Sequence, residues 1–312
     1  MALVIALASC AGPGPGPYTG APPGLVRRGE NRNEIAYAER AAAEKRKLFR
    51  KINADRAGFG VPPVAYDLLA AKVGDDFCLD AATGRFFGHW DLEGRPPYLR
   101  WALAGGVDYH GQNAGSVSRK GWDVTASEVA VLLLESHARM MAETPPNDGH
   151  RRAILDPNWT HVGIGVAFMG GEFRMTEEFV RRVAEWVELP AGPLPSGAEA
   201  ILRAQLPGDW SLGALEIAFE PPPVPLSVEE VTRRSTYALP RGFRTLHPVL
   251  PPNVRYTDGS AGEFPVSGGR MEARFKLSRG PGSYWAVLFA GKGPSAAGRP
   301  LTPVLAARVE AK

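Results

Sequence analysis

The side chains best suited to chemistry in this chain are two histidines and an amide, each set in a short polar motif. His150 opens a short predicted helix, His89 follows Gly88, and Gln112 lies between them in the sequence, next to Asn113. An imidazole can bind a metal ion or transfer a proton near neutral pH. A carboxamide can both donate and accept hydrogen bonds. A site built from these motifs requires secondary structure that brings them together.

The spacing of apolar residues predicts the helices of the first half of the chain. Residues 34–57 are rich in Ala, Glu, Lys and Arg and predict a helix. Asp67 is placed to cap a second helix at its N-terminus. A capping box at Thr125 predicts a long third helix through Glu143, which Pro145-Pro146 ends.

A strand over residues 162–168 follows the helix of His150. Alternate positions of this strand are Val, Ile and Phe on one face and only Gly or Ala on the other, which lets a helix or a ligand approach closely. Gly170-Gly171 predicts a hairpin into the next strand. Several helices with a few strands predict an α+β fold, a three-layer α–β–α sandwich over residues 34–189.

Beyond a Pro/Gly-rich linker, assigned to residues 190–205, the pattern changes to short strands. Residues 215–219 and 271–277 alternate between apolar and polar, and residues 284–289 are continuously apolar. These segments predict a small all-β, sandwich-like domain over residues 206–312. This half contains no cluster of catalytic residue types, so we interpret it as a binding or spacer domain.

Charge gives no support for nucleic-acid binding, whereas the N-terminus suggests an anchor. The 312 residues include 36 basic and 33 acidic ones, a net charge of +3. An apolar run ends in Leu7-Ala8-Ser9-Cys10, which resembles a bacterial lipobox. Residues 1–10 are therefore interpreted as a lipoprotein-type signal with Cys10 as the lipidated residue, and residues 11–33 as a Pro/Gly-rich tether. A chance cysteine in an apolar terminus is the alternative.

A lipidated Cys10 predicts membrane association through the lipid. The protein is then expected in the cell envelope, as an outer-membrane or periplasmic lipoprotein, or as a secreted protein. Cys78, the other cysteine of the chain, would have no partner for a disulfide within the chain. Its helical context predicts a buried, unreactive thiol.

Taken in order, the polar motifs resemble those of the CAP superfamily, the SCP-like family of cysteine-rich secretory, venom-allergen and plant pathogenesis-related proteins. The resemblance is to the compact bacterial form and covers about residues 38–187. It implies the three-layer fold, followed here by a β domain. The residues that carry it are Asn53, Arg56, His89, Arg100, Gly111-Gln112-Asn113, Met140-Met141-Ala142-Glu143, Gly149-His150 and Thr176-Glu177-Glu178-Phe179.

The resemblance also implies a site in which two histidines and two acids converge in a central cleft. Carried over, these positions are His89, Gln112, Glu143 and His150, with the two histidines as ligands of a divalent metal such as zinc. Glu143 would accept a proton or orient a ligand. Gln112 stands in place of the first acid; it can orient a neighbour but cannot act as a general base. Zinc is therefore expected to bind weakly.

Two functions stay open at this stage. The first is a binding module whose His-containing cleft holds a lipid, a peptide or a cell-wall fragment without turnover, and Gln112 favours it. The second is a weak metal-dependent hydrolase that cleaves peptide or ester bonds in the same cleft. A serine hydrolase is disfavoured because the chain has no Gly-x-Ser-x-Gly turn around its candidate serines.

Each site residue also has a structural alternative. His89 could be a hydrogen-bonded core residue, His150 a helix-start residue and Glu143 a solvated one, while Gln112-Asn113 could stabilise a tight loop. Three further histidines have no counterpart among the four family positions and are expected to be structural: His110, His137 and His161.

Overall fold

The structure, a computed structural model, describes residues 32–121, 126–169, 171–293 and 300–312. Cys10, nearly all of the predicted tether, and Thr125 of the predicted capping box lie outside these residues. Within them, no helix is both long and apolar enough to cross a membrane. The described residues form an α+β domain followed by an all-β domain.

The first domain holds a four-stranded sheet between helices. Its helices are α1 (Arg32–Gly58), α2 (Leu68–Thr83), α3 (Pro97–Leu103), α4 (Ala126–Met141) and α5 (Gly149–Ile154). Its strands are β1 (Ala65–Tyr66), β2 (Tyr109–Ser118), β3 (His161–Met169) and β4 (Glu172–Arg181). The strand order is β1-β3-β4-β2, with β1 and β3 parallel and the other pairs antiparallel. The predicted three-layer α–β–α sandwich is confirmed, and β2 is an edge strand.

One face of the sheet packs on α1 and α4. Ile52 of α1 and Leu133 of α4 are fully buried in one hydrophobic cluster with Val162 and Ile164 of β3 and Phe179 of β4. The apolar positions recur with helical spacing in the helices and alternate in the strands, so each element turns one apolar side to this layer.

The other face of β3 is nearly bare, and α2 lies directly on it. A Cβ atom added at Gly163 would lie 2.1 Å from the backbone nitrogen of Ala71, and one at Gly165 would lie 2.2 Å from the carbonyl carbon of Gly74. The predicted close approach is therefore made by a helix. Asp67 caps this helix as predicted, its carboxylate accepting from the Ala70 N–H over 2.8 Å. Cys78 is buried on the inner side of this helix, and burial raises the pKa of its thiol.

This contact gives a test of the packing. Gly165→Ala is expected to lower the free energy of unfolding by about 1–3 kcal/mol, because its methyl group would press on the backbone of α2. Urea unfolding followed by the helical circular dichroism signal measures the change. Gly192→Ala is the matched control, since nothing lies within 4 Å of a Cβ at Gly192. An equal loss in both variants would contradict the close packing of α2 on β3.

The second domain is a sandwich of two four-stranded antiparallel sheets. One sheet has the order β5 (Glu185–Glu188), β6 (Glu199–Gln205), β10 (Arg270–Lys276) and β9 (Val266–Ser267). The other has the order β12 (Thr302–Ala311), β11 (Gly282–Lys292), β7 (Trp210–Glu220) and β8 (Gly242–Leu246). Leu202 and Phe275 of the first sheet share one core with Ile217 and Leu288 of the second. The all-β prediction is confirmed.

The domain boundary predicted at residues 190–205 needs correction. β5 lies within the segment assigned to the first domain, yet it pairs with β6 of the second. β6 itself lies in the predicted linker, where Ala200, Leu202 and Ala204 are its buried positions. Two of these three residues are alanines, so the apolar alternation of the strand is weak in the sequence.

A long connection between β7 and β8 reaches back to the first domain. It comprises residues 221–241 and contains the short helix α6 (Val228–Arg233), which was not predicted. The two domains also meet directly: the rings of Tyr98 and Trp285 lie 5.0 Å apart edge to face. The Tyr98 hydroxyl donates to Glu220 over 3.0 Å.

Candidate functional site

His89, Gln112 and Glu178 form a chain of hydrogen bonds on the α2 face of the sheet. His89 Nδ1 lies 2.8 Å from Gln112 Oε1, and Gln112 Nε2 donates to Glu178 Oε1 over 2.8 Å. Gln112 and Glu178 are directly opposite each other on β2 and β4, so their side chains share a face. His89 is fully buried in the loop after α2, and its carbonyl accepts a hydrogen bond from Arg100 of α3.

The direction of these hydrogen bonds fixes the proton on His89. Because Gln112 Nε2 donates to a carboxylate, Gln112 Oε1 must face His89, where it can only accept. His89 Nδ1 therefore carries a hydrogen. In the neutral ring, Nε2 is the nitrogen that can accept a hydrogen bond or bind a cation.

Glu178 supplies the negative charge that Gln112 lacks. Its side chain is fully buried, and its second oxygen lies 2.9 Å from His110 Nε2. Burial raises the pKa of Glu178, but the close contact with His110, the hydrogen bond from Gln112 and the positive charge of Arg100 outweigh it. The net pKa lies below the ordinary value, so Glu178 is ionised at neutral pH.

Sequence reasoning missed the part that Glu178 and His110 play here. Glu178 was assigned only to the closing strand motif, and His110 was expected to be structural. A usable signal was present in Glu177-Glu178, two adjacent carboxylates within a predicted strand. Adjacent residues of a buried strand point to opposite faces, so each carboxylate needs its own buried partner.

Glu143 and His150 form a separate pair. Glu143 Oε1 lies 2.5 Å from His150 Nδ1, and its Oε2 accepts from the His150 backbone N–H over 2.9 Å. The Glu143 carboxylate thus hydrogen-bonds the His150 ring and also caps the N-terminus of α5. His150 is buried, and its Nε2 has no hydrogen-bond partner among the described residues. The alternative of a merely solvated Glu143 is therefore wrong.

His137 links two further carboxylates on this side of the sheet. Its Nδ1 lies 2.7 Å from Glu177 Oε1, and its Nε2 lies 2.9 Å from Asp55 Oδ2. Burial lowers the pKa of His137, but the two carboxylates outweigh it and the net pKa is raised. Glu177 also accepts a hydrogen bond from Asn113. The predicted structural role of His137 fits this position between α1, α4 and β4.

The four predicted site residues thus form two pairs rather than one group. Gln112 and Asn113 are neighbours within β2, so they point to opposite faces and the alternative of a tight loop is wrong. Gln112 contacts His89 on the α2 face, whereas Asn113 donates to the His150 carbonyl over 3.3 Å on the other. That His89, Gln112, Glu143 and His150 line one cleft stays a prediction, because the hydrogen bonds join them only as the pairs His89–Gln112 and Glu143–His150.

This separation bears on the predicted zinc site. Among the described residues, no group of three or more His, Cys, Asp or Glu side chains is placed to hold a metal ion. His89 and His150 each engage Nδ1 with a different partner side chain, Gln112 for His89 and Glu143 for His150. These residues do not fit a multi-ligand metal centre. Zinc binding by the two histidines stays a prediction.

Tyr237, from the connection between β7 and β8, completes the surroundings of His89. The rings of Tyr237 and His89 lie 4.6 Å apart in an edge-to-face arrangement. The Tyr237 hydroxyl accepts from the Gln112 backbone N–H and donates to the Gln112 carbonyl over 3.3 Å. These backbone groups lie on the outer edge of β2, the side opposite its pairing with β4. No signal in the sequence connects position 237 with this site.

Comparisons with known proteins give partial matches. No protein-family model matches the chain. The uncharacterized protein YkwD of Bacillus subtilis (strain 168) is 27% identical over 139 residues, which make up 45% of this chain and 48% of that protein. The chain therefore spans about half the length of this curated relative.

Two solved structures also match in part. One is an extracellular protein containing an SCP domain from Bacillus anthracis str. Ames, at 20% identity and a TM-score of 0.36, covering 50% of this chain and 46% of that one. The other is an outer surface protein from Borrelia burgdorferi, at 14% identity and a TM-score of 0.36, covering 45% of this chain and 93% of that one.

The motif residues explain how the first domain keeps its shape. Asn53 of α1 bonds both the N–H and the C=O of Val64, just before β1. Arg56 is fully buried and donates to the carbonyls of Ile154 and Asp156, at the C-terminal end of α5. Both residues belong to the resemblance drawn from the sequence, and they fix α1 in the α–β–α arrangement. The first domain has a CAP-like, SCP-type fold. In this CAP-like domain Asn53 and Arg56 hold α1 in place, whereas the other motif residues described above form the polar pairs around His89 and His150.

The chain from His89 to Glu178 predicts the effect of restoring an acid at position 112. Gln112→Glu would set a second carboxylate oxygen against the buried Glu178, so the two acids would have to share a proton. We expect a loss of about 1–3 kcal/mol in the free energy of unfolding at pH 7. The loss should shrink as the pH falls, because the variant binds that proton more tightly when folded.

Urea unfolding of wild type and variant at pH 7 and pH 5 measures this effect. Asn253→Asp is the control, since it makes the same amide-to-acid change at an exposed residue of the second domain. It is expected to change the free energy of unfolding by less than about 0.5 kcal/mol. Equal stability of Gln112→Glu and wild type at both pH values would refute the Gln112–Glu178 contact.

Proposed function

We propose that this protein acts outside the cytoplasm, anchored in the envelope or secreted, and binds a hydroxyl-bearing peptide at the edge of β2 without turning it over. The observation that supports this most directly is the position of Tyr237. Its hydroxyl bonds the Gln112 backbone N–H and carbonyl while its ring contacts His89. A tyrosine side chain therefore fits the polar edge of the CAP-like domain.

The edge of β2 is suited to a peptide on general grounds. A strand at the edge of a sheet presents backbone N–H and C=O groups that can pair with an extended chain. At Gln112 these groups lie beside an imidazole whose proton position is fixed by Gln112 Oε1. Main-chain groups would supply affinity, and the imidazole with its neighbours would select the side chain.

A polar ligand suits this position better than a lipid. His89, Gln112, His110 and Glu178 are all buried, and together they surround the site with imidazole, amide and carboxylate groups. An alkyl chain would satisfy none of these groups, and leaving buried polar atoms without partners is costly. This polarity argues against the lipid among the three ligand classes expected from the sequence, and the backbone groups of the strand edge argue for the peptide.

Binding without turnover is favoured because the acids of the site are already engaged. Glu178 contacts Gln112 with one oxygen and His110 with the other. Glu143 bonds the ring and the backbone N–H of His150 with its two oxygens. A general base needs a carboxylate or imidazole within reach of the proton it removes. The hydrolase alternative would require one of these contacts to break first.

Fluorescence polarisation with a labelled peptide tests the binding proposal. The probe carries the sequence of residues 233–240, Arg-Arg-Ser-Thr-Tyr-Ala-Leu-Pro. We expect weak, saturable binding to the wild type and none to His89→Ala, and mass spectrometry should find the peptide intact. His247→Ala, at a histidine of the second domain, is the control and should bind as the wild type does. Undiminished binding by His89→Ala would place the ligand elsewhere, and metal-dependent cleavage would favour the hydrolase.

The proposed location rests on Leu7-Ala8-Ser9-Cys10 and has its own test. Expressed in bacteria with its own N-terminal sequence, the protein should incorporate radioactive palmitate and sediment with membranes. Cys10→Ser should lose both properties. Cys78→Ser, at a buried thiol inside the CAP-like domain, should keep both. Labelling of the Cys10→Ser variant would show that the lipobox resemblance is a coincidence.

A further inference from the structure

The connection between β7 and β8 is far longer than its topology requires. These strands are antiparallel neighbours, and such pairs are commonly joined by about two to five residues. Here residues 221–241 leave the second domain, lie along the CAP-like domain and return. We refer to residues 221–241 as the strap.

The strap follows the loop that carries His89. The Leu226 N–H donates to the carbonyl of Leu92 over 2.8 Å. Further along, Trp90 Nε1 donates to the carbonyl of Thr236 over 3.1 Å, and the Arg234 guanidinium lies 4.7 Å from the Trp90 ring centre. The contacts therefore flank His89 in the sequence and lead to Tyr237.

Glycines in this loop let the strap backbone come close. Gly94 has a φ of +75°, and a Cβ added there would lie 2.0 Å from the Val224 carbonyl oxygen. A Cβ at Gly88, next to His89, would lie 3.1 Å from the Val231 carbonyl oxygen. Side chains at these two positions would push the strap away from the loop.

Only two strap side chains are buried. Val231 is fully buried in a cluster with Phe77 and Phe86, and Tyr237 is 6% exposed beside His89. The other strap residues are exposed or half-buried. A segment held by so few buried side chains can open locally at lower cost than the sheets on either side of it.

We propose that the strap is a built-in occupant of the peptide site, with Tyr237 in the place of the ligand's aromatic hydroxyl side chain. An external peptide must then displace the strap to reach His89 and Gln112. Because the strap is tethered to the site, it competes at a high effective concentration and lowers the apparent affinity for any free peptide. This inference rests on the proposed function. It adds that the ligand carries an aromatic hydroxyl side chain and that the strap controls its access to His89 and Gln112.

The test loosens the strap without altering the site. In the full chain, Val231→Asp places a charge in the apolar cluster under α6 and should lift the strap. Val228→Asp is the matched control on the same helix, because Val228 is 42% exposed at the first position of α6. The two readouts are hydrogen exchange at the Gln112 amide and polarisation of the labelled peptide of residues 233–240.

We expect Val231→Asp to speed exchange at Gln112 and to bind the peptide about tenfold more tightly or better than wild type. Val228→Asp should match the wild type in both readouts. His89→Ala combined with Val231→Asp should abolish binding. Tyr237→Phe, which keeps the ring and removes only the hydroxyl, should speed exchange at Gln112 and provides a second variant should Val231→Asp fail to fold.

Two results would overturn the inference, and they are distinguishable. Equal peptide binding by wild type, Val228→Asp and Val231→Asp would show that the strap does not occupy the site, while leaving the binding proposal intact. Faster exchange at Gln112 with no peptide binding by any variant would refute the proposed peptide function itself, and with it the strap's role as occupant.

Discussion

A buried, ionised carboxylate needs hydrogen-bond donors, and the arrangement around β2 follows from how Glu178 obtains them. One donor is the side-chain amide of Gln112, directly across the β2–β4 ladder. That contact turns Gln112 Oε1 toward His89 and so sets the proton on Nδ1. The same residue offers its backbone N–H and carbonyl to Tyr237 at the strand edge. One residue thus couples the buried charge, the imidazole and the second domain.

The strap gives the second domain a role that its sandwich core does not suggest. The core is complete within its two sheets, yet residues 221–241 extend from one sheet to cover the CAP-like domain next to His89. The surroundings of His89 in the first domain are therefore covered by a segment of the second. A ligand that competes with Tyr237 would act on both domains at once, because the strap belongs to one and contacts the other.

Local patterns predicted local structure well. The Gly163 and Gly165 face of β3 and the cap at Asp67 depend on neighbours within one or two elements, and the structure confirms both. The sequence could not predict contacts between distant segments. Tyr237 and Gln112, for example, are hydrogen-bonded although they are 125 positions apart. The division of the site into two pairs depends on Gln112 and Asn113 lying within a strand, since only the pleat sends them to opposite faces.

The proton position on His89 tests the hydrogen-bond chain from His89 to Glu178 most directly. Nitrogen-15 NMR of the histidine-labelled protein distinguishes the two ring nitrogens, with His89→Gln used to assign the signals. The hydrogen-bond chain predicts that the neutral His89 ring carries its hydrogen on Nδ1, with Nε2 unprotonated, and that this preference is lost in Gln112→Ala. A hydrogen on Nε2 with an unprotonated Nδ1 in the wild type would contradict the chain from His89 through Gln112 to Glu178.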